Sequence, residues 1–173
     1  GPGITVVADG RAQGRPASRP FDGEGTATRP TLLIDQGRLT TWLLDTHSAR
    51  KLGLQSTGHA SRSPGGVPSP SSTNLHLEPG PRSREELLAA VGTGLLVTEL
   101  LGMGVNGVTG DYSRGAAGYW IEGGEIAYPV SEITIAGNLK DMYRALEPAS
   151  DLEFRGSTNA PTTLVGEMTI AGV

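Results

Sequence analysis

The sequence predicts a mainly β domain of α+β type, built from antiparallel sheets with hairpins and two or three short helices. Three observations lead there. Among 173 residues stand 26 Gly and 12 Pro, the two residues that most penalise a helix interior. Apolar residues come in short runs bounded by Gly, Pro, Asn and Asp rather than in long helical stripes. Hydrophobic residues make up 36% of the chain, enough for the core of one domain at this length.

The elements follow in order. Ile4–Ala8 (ITVVA) predicts a strand, followed by a loop that carries Arg11, Arg15, Arg19 and Arg29. Strands near 31–35 and 38–44 form a hairpin, turned at Gln36-Gly37. Thr46–Leu52 predicts a short helix, with Gly53 placed to close it. From Ser56 to Arg82 the chain is rich in Ser, Pro and Thr and predicts loop, with a strand inside it at Thr73–Glu78. Ser83-Arg-Glu-Glu86 has the spacing of a capping box and opens a helix through Ala90. Gly94–Leu100 predicts a buried strand, and the glycines between 102 and 118 predict a turn-rich segment. A second hairpin joins 117–121 to 125–128 through Gly123-Gly124, and 133–136 forms a short strand. Asn138 caps a helix over 139–146, stopped before Pro148, and a last strand spans 164–171.

Charge narrows the function classes. Fourteen basic against 18 acidic residues leave a net charge of −4, which opposes nucleic-acid binding and polybasic membrane attachment. No apolar run has the ~20 residues that a membrane span requires. The opening residues show no basic-then-apolar leader, and the first Gly-Pro-Gly reads as a cloning remnant outside the fold. With no cysteine, the chain holds no disulfide, thiolate metal site or cysteine nucleophile.

Local motifs offer little catalysis. Gly102-Met-Gly104-Val-Asn-Gly107 has the letters of a dinucleotide loop, yet Thr109-Gly110-Asp111 follows directly, where the motif needs a helix to face the phosphates. His47, His59 and His76 have no partner at metal-binding spacing. Asp22-Gly-Glu-Gly25 reads as a plain turn before it reads as a gripping loop. Asp111-Tyr112-Ser113-Arg114 is richer: it gathers a carboxylate, a phenol, a hydroxyl and a guanidinium among glycines. Two readings of it stand side by side. One is contact with a peptide that adds a strand; the other is an internal ion pair between Asp111 and Arg114, or separate pairs that pin a loop.

Six blocks, taken together, resemble a known family. They are Ala17-Ser-Arg-Pro-Phe-Asp-Gly-Glu-Gly25, His47-Ser-Ala-Arg50-Lys-Leu-Gly53, Gly92-Thr-Gly-Leu-Leu-Val-Thr-Glu-Leu100, Gly107-Val-Thr-Gly-Asp-Tyr-Ser-Arg-Gly115, Tyr128-Pro-Val130 and Glu132-Ile-Thr-Ile-Ala-Gly-Asn-Leu-Lys-Asp-Met142. In this order they are similar to the TldD/PmbA family, on its PmbA (TldE) branch, from about residue 4 to Val173. Older family descriptions say "modulator of DNA gyrase". The resemblance implies that residues 1–173 are a C-terminal β-rich domain, the family's upstream α/β domain being absent from this chain.

It further implies a cytoplasmic protein that pairs with a TldD-type catalytic subunit in a zinc metalloprotease, which matures peptides by removing leaders and degrades unfolded ones. Zinc is expected in the TldD-type partner, and none in this chain. The family's zinc-binding helix has no match here, and Ala160 falls near the place of its cysteine ligand. The implied role is non-catalytic: assembly and holding of a peptide or unfolded-protein substrate, with no membrane and no nucleic-acid partner. A homodimer is a further assembly it allows. The contact residues expected are Asp111, Tyr112 and Arg114, with Arg50 beside them. The alternatives are an autonomous metallopeptidase using the histidines, and a DNA- or gyrase-binding modulator.

Overall fold

A computed structural model describes residues 1–172. Its elements run β1 (Val6–Asp9), β2 (Pro30–Asp35), β3 (Arg38–Leu39), α1 (Thr46–Leu52), β4 (Ala60–Ser61), β5 (Ser69–Pro70) and β6 (Asn74–Leu77). Then follow α2 (Arg84–Val91), β7 (Gly94–Leu101), β8 (Asp111–Glu122), β9 (Glu125–Asn138) and α3 (Leu139–Ala145). The chain closes with β10 (Glu147–Pro148), β11 (Thr158–Asn159), β12 (Thr163–Leu164) and β13 (Thr169–Ala171). The fold is mainly β with three short helices and several antiparallel sheets, as the glycine and proline content predicts. Contacts within it group into two compact units.

The first unit comprises Pro2–Pro79 and Leu152–Pro161. Its sheet has the order β11-β6-β1-β2-β3, antiparallel except for the β11–β6 pair. Gln36 and Gly37 turn the β2–β3 hairpin with φ of 47° and 80°, the two left-handed residues a tight hairpin turn demands. The expected strand over 38–44 stops at Leu39. Leu44 turns to a different partner: its amide donates to the Thr57 hydroxyl at 2.8 Å, and the Thr57 amide donates back to the Leu44 carbonyl at 3.2 Å. Asp45, buried, then caps α1 by accepting from the Ser48 amide at 2.7 Å. Gly53 closes that helix at φ 66°.

The second unit takes Gly1, Gly80–Asp151 and the segment from Thr162. Its capping box is as expected: the Glu86 amide donates to the Ser83 hydroxyl at 3.1 Å, and the Ser83 amide to the Glu86 carboxylate at 2.6 Å. The main sheet has the order β13-β9-β8-β7. Ala116, Ile133 and Ile135 form its buried centre, with Leu95, Val97, Tyr112, Val130 and Met168 packed against them.

Four local expectations are corrected in this unit. The glycine-rich segment is already strand from Asp111, because Gly115 and Gly118 sit where neighbouring strands press close. Residues 125–128 and 133–136 belong to one strand, β9, that continues through an irregular register. The stretch 94–100 is a strand but not a buried one: it lies at the sheet edge, half-buried over 94–97 and exposed over 98–101. The last expected strand is split into β12 and β13, which pair with β10 and β9 respectively.

Candidate functional site

At the start of β8 successive side chains alternate in burial: Asp111 and Ser113 are exposed, whereas Tyr112 and Arg114 are half-buried. This is the period of two that a strand imposes. It also sends Asp111 and Arg114 to opposite faces, and neither takes part in an ion pair among the described residues. The internal Asp111–Arg114 pair is therefore not formed. Arg114 instead donates from Nη2 to the Leu100 carbonyl of β7 at 3.3 Å.

Asp111 is held firmly. Its Oδ2 accepts from the Thr109 hydroxyl at 2.6 Å, and Oδ1 from Asn138 Nδ2 at 3.2 Å. These bonds to Thr109 and Asn138 hold its carboxyl below the ordinary aspartate value, with Lys140 contributing. Asn138 ties the site to α3, since its side-chain oxygen accepts from the Lys140 amide at 3.1 Å. Tyr112 packs on the core and bridges Val105 across from β9. Gly104 touches the same strand: Ser113 donates its amide to the Gly104 carbonyl at 2.7 Å.

Beside this strand start lies an apolar stretch that sequence reading missed. Leu100, Leu101, Met103, Val105 and Val108 are all exposed, Met103 and Val108 almost fully, at 101% and 92%. Clustering of this kind marks contact surfaces. Its signal is present in the sequence but is masked there by the interleaved glycines. The unit also contains a cavity of about 640 Å³, lined by Leu95, Trp120, Ile135, Leu164 and Met168, with Glu167 its one charged residue. No motif announces it, because its lining comes from separate segments.

Arg50 lies exposed on α1, in the first unit, so the four expected contact residues are divided between the units. The histidines are also in the first unit. His47 is exposed on α1, His76 bonds Glu78 at 3.2 Å, and His59 is buried with Nδ1 3.0 Å from the Thr57 hydroxyl. Burial lowers the His59 pKa, helped by Arg19 and Arg29 and opposed by a hydrogen bond to the Thr57 backbone and by Asp22. Asp22 closes its own turn, accepting from the amides of Glu24 and Thr26 at 2.9 Å each and of Ala60 at 3.0 Å.

Fold and site thus define a β-rich domain with a hydrogen-bonded strand start beside an exposed apolar stretch. Among the described residues, no three His, Cys, Asp or Glu side chains are placed to share a metal ion, and no helix is long and apolar enough to cross a membrane. The chain belongs to the PmbA/TldD family: the model of the PmbA/TldA metallopeptidase C-terminal domain matches residues 1–172.

It is 54% identical to the metalloprotease PmbA of Escherichia coli O157:H7, over 90% of this chain and 33% of that protein. A Thermotoga maritima protein named as a proposed modulator of a DNA gyrase shares the fold with TM-score 0.84 and 36% identity, over 97% of this chain and 39% of that one. TldE from Thermococcus kodakarensis does so with TM-score 0.82 and 26% identity, over 98% and 40% respectively. The chain therefore spans about a third of the curated relative, whose 33% coverage sets the extent of the likeness.

Proposed function

We propose that this chain acts as the C-terminal domain of a PmbA/TldE-type subunit, cytoplasmic and itself non-catalytic, which pairs with a TldD-type zinc-bearing subunit. Together they hold and cleave leader peptides and unfolded chains. The observation that carries this reading is the 54% identity to PmbA across 90% of the chain, supported by the likeness to TldE. The residues present do not fit a zinc ion. His59 is buried against Thr57, His76 is engaged by Glu78, and the sequence has no cysteine.

Contact is assigned to the strand start at Asp111, Tyr112 and Arg114 with the apolar stretch beside it, and to Arg50. Among the described residues, β7 pairs in the main sheet only with β8, so its other edge keeps backbone donors and acceptors for an extended peptide. Main-chain bonding of that kind tolerates many side chains, as an enzyme acting on unfolded chains requires.

The test is co-purification of the full-length protein with the TldD-type subunit of the same genome, sized by light scattering and assayed on an unfolded peptide. A complex active only with both subunits, weakened by Asp111→Ala or Arg114→Ala, is the expected result. A lone chain that carries zinc and cleaves peptide overturns the reading in favour of an autonomous peptidase.

A further inference from the structure

The cavity of about 640 Å³ in the second unit is not used by the reading above. It is lined by one face of the main sheet, with Leu95 and Val97 of β7, Trp120 of β8 and Ile135 of β9. The segment around Leu164 and Met168 lines it as well. That wall is anchored at both ends, by pairing of β12 with β10 and of β13 with β9. It is also braced against α3: a β-carbon on Gly166 would stand 2.7 Å from the Ala145 β-carbon. The volume lies in the range of small-ligand sites, with room for more than one side chain.

At β7 this cavity meets the open edge of the sheet. The Leu96 carbonyl is directed at β8, 2.0 Å from where a β-carbon on Gly118 would stand. Backbone groups alternate sides along a strand, so the amide and carbonyl of Leu95 face the other edge. Among the described residues no strand pairs there. A peptide residue paired with Leu95 projects to the same face, its β-carbon about 5 Å from that of Leu95. The peptide residue two positions on does the same beside Val97, since the β7 register slips only after Val97. That face is the one lining the cavity. Its lining is apolar apart from Thr93, Thr163 and Glu167. Glu167 is exposed and forms no ion pair among the described residues. Beside it Trp120 and Met168 offer a ring face and a thioether to a long aliphatic stem that ends in a cation.

We propose that the cavity is a side-chain pocket for an extended peptide paired on the β7 edge. It selects a segment with a bulky apolar residue and a lysine or arginine at positions i and i+2. The apolar side chain packs on Leu95, Trp120 and Ile135, and the basic head meets Glu167. The inference rests on the peptide-holding reading above and deepens it. Main-chain bonds to β7 tolerate many side chains, and the cavity adds a preference at two positions.

Fluorescence anisotropy of labelled peptides with the full-length protein tests it. Three peptides differ only at i and i+2, carrying Leu and Lys, Leu and Glu, or Ser and Ser. The Leu–Lys peptide is expected to bind about tenfold more tightly than Ser–Ser. It should also bind about fivefold more tightly than Leu–Glu. Glu167→Gln, a conservative change at an exposed position, brings the second ratio to within about twofold and keeps the first. N-methylation of the Leu–Lys peptide at the amides that face β7 abolishes binding. Equal binding of all three peptides overturns the pocket and leaves the edge reading standing. Leu–Lys binding that survives N-methylation, or no binding of any peptide, overturns the edge reading and the pocket with it. A lysine preference unchanged in Glu167→Gln overturns the role of Glu167.

Discussion

Gly118 of β8 passes so close to Leu96 of β7 that a β-carbon on it would stand 2.0 Å from the Leu96 carbonyl oxygen. Both neighbouring strands are irregular at this point. On β7 the register slips between Val97 and Glu99, and on β9 Ser131 and Glu132 together oppose Ala117. The close approach thus lies where two bulges concentrate the twist of the sheet. Gly118→Ala must push backbone rather than a flexible side chain. It is expected to cost at least ~1–3 kcal/mol, as overpacking does, and to free the β7 edge. Gly107→Ala, where nothing lies within 4 Å, is expected to stay within about 0.5 kcal/mol of the parent. Urea unfolding of the two variants checks this.

Glu132 holds φ at 56°, a left-handed conformation, within the β9 bulge. A side chain there carries strain of about 1 kcal/mol that glycine does not. Glu132→Gly is expected to leave stability unchanged or raise it by up to ~1 kcal/mol, because the flexibility of the unfolded glycine offsets part of the relief. A loss of more than that would show that the Glu132 side chain itself holds the bulge.

Asp111 is expected to titrate below 3.8, because Thr109 and Asn138 bond its charged form. A carboxylate whose folded value is depressed stabilises the fold above the unfolded value, and that contribution disappears as pH falls through the folded one. Asp111→Asn should therefore flatten the acid limb of stability below pH 3.8. Asp111→Ala should speed amide exchange across 106–111, whose turn includes a bond from the Asn106 amide to the Asp111 carbonyl at 2.9 Å. NMR titration and hydrogen exchange read the two effects.

His59 gives the same pH sense for the opposite reason, because the fold disfavours its charged form. Its folded pKa is lowered from 6.5, chiefly by burial, while Arg19 and Arg29 oppose its charge and Asp22 favours it. The unfolded chain therefore takes up the proton first, so stability falls as pH drops below 6.5 and is flat above it. His59→Gln is expected to remove that slope even if it lowers stability overall. Thermal melts across pH 5 to 8 would show it, and an unchanged slope would mean that another group is responsible.

By itself the sequence determined the fold class, the elements governed by local chemistry, and the family. The Ser83–Glu86 cap, the Gln36-Gly37 turn and the Gly53 helix end are each set by residues a few positions apart, whose bonds form within one turn of chain. Candidate contacts at Asp111, Tyr112 and Arg114 were legible as a run of functional groups, but their orientation was not. Only the tertiary structure decided that Asp111 bonds Thr109 and Asn138 instead of Arg114, and that 94–101 is an edge strand. The same holds for the strand role of Gly115 and Gly118. Glycine signals turn and close approach alike, so local propensity cannot separate them. What separates them is the strand on the other side, brought there by contacts distant in sequence.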